Sequence, residues 1–116
     1  MAIHHGGAGT THTAARAGIP QVVLPIGADH HFWANRVALR GAAPKYPSKG
    51  RFDSRAVATM IEFAQRDDTR MHARALGEAM SHEDGVGTAI REIERAGLSD
   101  ERDNLEPLQT ESATAV

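Results

Sequence analysis

The stretch His4-His5-Gly6-Gly7-Ala8-Gly9-Thr10-Thr11 limits the possible folds of this chain more than any other. It reads as a strand end, a glycine turn and a helix start in direct succession. Ala2-Ile3 closes a short apolar run. The glycines allow a tight turn and let a bound group come close to the backbone. Thr10 and Thr11 open a run of good helix formers, Ala14-Ala15-Arg16-Ala17, and Gly18 is placed to end it. The amino end of such a helix carries unpaired N–H donors and the positive end of the helix dipole, which suit a phosphate. A histidine just before the turn adds a further donor. A glycine-rich turn alone is more often a plain strand-to-helix connection, so the distinction rests on the remaining residues.

Those residues repeat the same unit. Strand one is expected over Ala2 to His4 and helix one over Gly9 to Ala17, with a turn at Gly18-Ile19-Pro20. Gln21 to Pro25 is a mostly apolar run that predicts a parallel strand covered on both faces. Gly27-Ala28-Asp29 is a second loop after a strand, and Asp29 is placed to cap a helix over His31 to Arg40, which Gly41 ends. Two strand–helix units in a row predict an α/β fold: a partial Rossmann-like parallel sheet with flanking helices. Ala42-Ala43-Pro44 is expected as a short edge strand, followed by a loop from Lys45 to Phe52. Asp53 or Ser54 caps an amphipathic helix in which Val57, Met60, Ile61 and Ala64 share a face. A helix from Thr69 to Ser81 is expected to be interrupted or weakened at Gly77, and Val86, Ile90 and Ile93 mark another. Residues 1–98 thus form the expected domain. Residues 99–116, acidic and nearly free of large apolar side chains, form an expected disordered tail.

Composition removes several function classes. The 116 residues suffice for one small domain, and 41% hydrophobic with 24% charged residues fits a globular protein. A net charge of −2 provides no electrostatic footprint for nucleic acid. The absence of cysteine excludes disulfides, thiolate metal sites and a cysteine nucleophile, and is compatible with a cytoplasmic protein. No signal-peptide pattern opens the chain, and the run Val22 to Ile26 is far too short to span a membrane. The chain begins almost on its strongest motif, which leads us to expect the C-terminal part of a larger protein. A sheet of two or three strands leaves an open edge. Small cores supply no more than about 3–5 kcal/mol, so marginal stability with self-association is expected.

In open parallel sheets, ligands sit beyond the carboxyl ends of the strands. Both polar loops, His5 to Thr11 and Gly27 to His31, are expected there, side by side. One suits a diphosphate; the other offers a carboxylate and imidazoles for paired hydroxyls. Together they describe a ligand with a phosphate end and a hydroxyl-rich end, such as a nucleotide sugar.

The run His5-Gly6-Gly7-Ala8-Gly9-Thr10-Thr11, the turn Ala17-Gly18-Ile19-Pro20-Gln21, and Leu24-Pro25 followed by Asp29-His30-His31-Phe32-Trp33-Ala34 resemble the donor-binding half of family 1 glycosyltransferases. The bacterial macrolide and glycopeptide enzymes and the sterol glucosyltransferases are the most similar in character, over Ala2 to Gly97. The resemblance implies the C-terminal half of a GT-B fold that binds a UDP-sugar or dTDP-sugar. It implies that His5, the backbone of Gly7 and Gly9, and the Thr10 hydroxyl hold the diphosphate, while Asp29 and His30 meet the sugar. It also implies metal-independent transfer, with inversion, to a hydroxyl acceptor such as a macrolide or sterol. The acceptor domain, the general base and the segment that stacks on the nucleobase would all lie upstream of Met1, so no catalytic residue is assigned within the chain. Two positions depart from the pattern. His30 stands where the family usually has Gln, which leaves the sugar open, and Thr13 stands where plant members have a ribose-binding Glu.

Other readings apply to several residues. His4 is expected to bond to backbone at a strand end. His12, His72 and His82 are expected on the surface, and Trp33 in packing. The pairs His4-His5 and His30-His31 would converge on zinc only by an accident of the fold, and no metal is assigned. Arg16 lies where a helix C-terminus already favours a cation. The competing function is a non-catalytic remnant or interaction domain that keeps the fold without activity.

Overall fold

The computed structural model describes residues 1–47 and 52–97. They fall into two compact units, the first Met1–Glu83 and the second within Asp84–Val116. The expected tail, residues 99–116, lies outside the described residues.

The first unit contains β1 (Ala2–His4), α1 (Ala8–Arg16), β2 (Gln21–Val23), α2 (His30–Leu39), α3 (Ser54–Ala64) and α4 (Asp67–Ser81). The fold is α/β: β1 and β2 form a two-stranded parallel sheet flanked by helices. The register pairs Ala2 with Gln21, Ile3 with Val22 and His4 with Val23. One further bond, from Leu24 N–H to the His4 carbonyl at 2.9 Å, extends the ladder. β2 then stops short of the expected Pro25, which has no N–H to donate.

β2 is buried along its whole length. Its alternating side chains serve two faces. Val23 packs with Ala34, Val37 and Ala43, whereas Val22 packs with Met60 and Ala64. The expected edge strand over Ala42 to Pro44 does not form. One bond, Gln21 N–H to the Ala42 carbonyl at 2.9 Å, is made, but Pro44 cannot continue a ladder. Among the described residues β1 pairs with β2 alone, which leaves its other side an open edge, and Ile3 on it is 51% exposed.

The Asp53 carboxylate caps α3 by accepting from Ala56 N–H at 2.7 Å. Met60 and Ala64 of the expected apolar face are buried, with Val57 and Ile61 half-buried. α4 runs unbroken through Gly77, contrary to the expected interruption. Gly77 is instead the place where α4 meets the end of α1. A Cβ there would lie 2.7 Å from Gly18 Cα and 3.0 Å from the Ala15 carbonyl oxygen. Only hydrogen permits that approach.

In the second unit, α5 (Gly85–Arg95) is capped by Asp84, whose carboxylate accepts from Gly87 N–H at 2.9 Å. Val86, Ile90 and Ile93 are exposed along it.

Candidate functional site

The two loops that follow β1 and β2 come together. Gly6 has a φ of +96°, and its backbone lies against the second loop: a Cβ would meet Val23 Cγ1 at 2.9 Å and the His30 carbonyl oxygen at 3.1 Å. This contact is why the first turn needs glycine. It also brings the rings of His5 and His30 to 4.8 Å between centroids. His5 is exposed and His30 half-buried.

α1 begins beside this pair. Its N-cap position is Gly7, which has no side chain to satisfy the first turn. The first helical N–H groups have no partner within a helix, and the regular pattern starts at Thr11, whose N–H donates to the Gly7 carbonyl at 2.9 Å. His5 folds over this end, so that its Nε2 lies 3.0 Å from where a Cβ on Gly7 would project. Gly9 and Thr10 are exposed on the first turn, and a Cβ added at Gly9 would meet nothing within 4 Å. The Thr11 hydroxyl turns inward to the Gly7 carbonyl at 2.8 Å, and the Thr13 hydroxyl bonds to the Gly9 carbonyl at 2.9 Å. Of the threonines here, Thr10 faces solvent and Thr11 is buried.

The second loop holds Asp29 and His30 at the start of α2. Asp29 occupies the N-cap position without making a side-chain cap, which corrects the expected capping role. Its Oδ2 accepts instead from the indole Nε1–H of Trp33 at 2.8 Å. Its backbone is helical, with φ −79° and ψ −1°, whereas a capping side chain needs an extended backbone. Ala28 just before it has a φ of +50°, a left-handed conformation that costs a non-glycine residue about 1–2 kcal/mol. Nδ1 of His30 accepts from Ile26 N–H at 3.4 Å, so the proton of the neutral ring sits on Nε2, a donor.

The four paired histidines do not converge. His4 bonds to Gln21 at 2.7 Å, and the His31 ring lies 5.2 Å from Tyr46, leaving only His5 and His30 in contact. Among the described residues, no three His, Asp or Glu side chains are grouped to hold a metal ion. Nor is any described helix long and apolar enough to cross a membrane.

Three residues count for more than the sequence reading implied. His12 is exposed, yet its ring meets the Trp33 edge at 4.6 Å and its Nδ1 lies 2.6 Å from the Ala8 carbonyl oxygen. Trp33 therefore joins α1 to Asp29 and does more than pack. Gln21 is fully buried, bonded to His4 and, at 3.4 Å, to the Thr11 carbonyl. The signal for it was a polar residue opening an otherwise apolar strand.

The profile of the family described as erythromycin biosynthesis protein CIII-like, C-terminal domain, matches residues 1–95. The chain belongs to that family. Its relatives among curated proteins are named as sugar transferases. It is 44% identical over 93 residues to the O-mycaminosyltylonolide 6-deoxyallosyltransferase of Streptomyces fradiae, covering 79% of this chain and 22% of the relative. To the vancomycin aglycone glucosyltransferase of Amycolatopsis orientalis it is 45% identical over 91 residues, 77% of this chain and 21% of the relative. To a sterol 3-beta-glucosyltransferase of Arabidopsis thaliana it is 36% identical over 89 residues, 77% of this chain and 14% of the relative. The chain thus spans about a fifth or less of the length of these relatives. As a member of the CIII-like C-terminal domain family, it is a glycosyltransferase-like C-terminal domain, consistent with part of a GT-B fold.

Proposed function

We propose that this domain holds the diphosphate and sugar of a nucleotide-sugar donor, a UDP-sugar or dTDP-sugar, for transfer to an acceptor hydroxyl. The observation that carries this reading is the meeting of His5 and His30 at the uncapped amino end of α1, 4.8 Å between rings. A diphosphate there takes hydrogen bonds from the N–H groups around Gly7 and Gly9, from the Thr10 hydroxyl and from His5, with the helix dipole adding attraction. Asp29 and the Nε2–H of His30 lie on the neighbouring loop, where the sugar hydroxyls would reach them.

In the proposed reaction, an acceptor oxygen attacks the anomeric carbon as the bond to the diphosphate oxygen breaks, inverting that carbon. Negative charge grows on the leaving diphosphate, and fixed donors aimed at it lower the barrier. That stabilisation needs no metal ion. A general base takes the acceptor proton, and it belongs to a part of the enzyme other than these residues, as does the site for a macrolide, sterol or similar acceptor.

Titration of the ¹⁵N-labelled chain with UDP or dTDP tests the reading. Shifts confined to Gly7, Gly9, Thr10 and the His5 ring are expected, and they should vanish in His5→Ala without loss of the fold. No response at these residues would favour a domain that keeps the architecture without a donor site.

A further inference from the structure

His4 is the histidine of the motif that the proposed donor contacts leave unused. Two bonds run through it in one direction, and a third continues from Gln21. The N–H of Gly6 donates to His4 Nδ1 at 3.0 Å. A peptide N–H cannot accept, so Nδ1 is bare and the proton of the neutral ring is on Nε2. That Nε2–H donates to Gln21 Oε1 at 2.7 Å, and the Gln21 Nε2 donates to the Thr11 carbonyl at 3.4 Å. Gln21 is completely buried, and bonds in such surroundings reinforce one another. The relay starts at Gly6 and ends at Thr11, so it brackets the residues from Gly7 to Thr10.

We propose that His4 is a positioning residue: its bare Nδ1 holds the Gly6 N–H and thereby sets the direction in which the N–H groups of Gly7 to Thr10 point, while the Nε2–H bond to buried Gln21 fixes which ring nitrogen is bare. The inference deepens the donor-site reading and rests on it for its consequence in binding. His4 touches no donor atom; it acts through the turn. Gly6 is already pressed against the His30 backbone, so a turn released from His4 rotates about a fixed point and carries the first N–H groups of α1 off target.

The two ring nitrogens can be imitated separately. In His4→Asn, the side-chain oxygen replaces Nδ1 and keeps the acceptor for Gly6. In His4→Gln, the amide nitrogen replaces Nε2 and keeps the donor to Gln21. If His4 positions the turn, His4→Asn retains UDP affinity within about twofold, whereas His4→Gln loses about tenfold, the equivalent of one well-placed bond. In the ligand-free chain, His4→Gln should also raise hydrogen exchange at the Gly6 amide about tenfold and move the amide resonances of Gly7 to Thr10. His4→Asn should leave both as they are. Equal losses in the two variants, or unchanged exchange at Gly6 in His4→Gln, would overturn the proposal. A wild-type chain that ignores UDP would instead overturn the donor reading, while Gly6 exchange still decides the positioning role. The wild-type ring nitrogens give an independent check: ¹⁵N shifts should report a bare Nδ1 and a protonated Nε2.

Discussion

The indole Nε1–H of Trp33 donates to Asp29 Oδ2 across 2.8 Å, one helical turn apart at the start of α2. The same ring meets the His12 ring at 4.6 Å, so the carboxylate is oriented from α1 as well as from α2. A carboxylate with one oxygen held presents the other in a set direction. In Trp33→Phe the packing against His12 survives and the donor is lost. The sugar-dependent part of donor affinity, measured by calorimetry as UDP-sugar against UDP, should fall by about 0.5–1.5 kcal/mol. Affinity for UDP alone should not change.

Gly9 separates backbone access from folding. A Cβ there meets nothing within 4 Å, so Gly9→Ala should leave the melting temperature unchanged or raise it, since alanine favours a helix by up to about 1 kcal/mol. If the diphosphate rests on this turn, the same methyl group obstructs it. A loss of UDP affinity of about tenfold or more is expected, with no loss of stability.

Gly77 is expected to behave in the opposite way. Glycine to alanine within a helix is ordinarily stabilising, but here the new methyl group would lie 2.7 Å from Gly18 Cα. The obstacle is backbone, so α1 and α4 must separate. Gly77→Ala should cost about 1–3 kcal/mol in denaturant unfolding.

The open edge of β1 should make the chain associate with itself. Ile3 is 51% exposed there, and strand edges bearing apolar side chains pair readily. Sedimentation at rising concentration should show oligomers, and Ile3→Lys should reduce them while leaving the fold intact.

Much of this was legible in the residues alone. β1 was expected over Ala2 to His4, where it forms, and the helices after the two loops start and end within a residue or two of expectation. The meeting of the two polar loops was legible too, because each follows one of two adjacent parallel strands. The errors share a cause. Gly77 reads locally as a weak point, yet it is a contact whose partner, Gly18, is distant in sequence. Asp29 reads locally as a cap, but the indole four residues on claims its carboxylate. Ala42 to Pro44 reads as a short edge strand, yet only the Ala42 carbonyl finds a partner, the Gln21 N–H, and Pro44 cannot donate to a ladder.

Hydrophobic period, turn residues and the glycine motif therefore determine the α/β class and where the two loops lie, because they act over a few bonds. The tertiary structure alone decides which of four histidines meet, which one is bound to buried Gln21, and what holds the Asp29 carboxylate. Those outcomes depend on side-chain directions across separate elements, and local sequence carries no record of them until β1 and β2 pair in register.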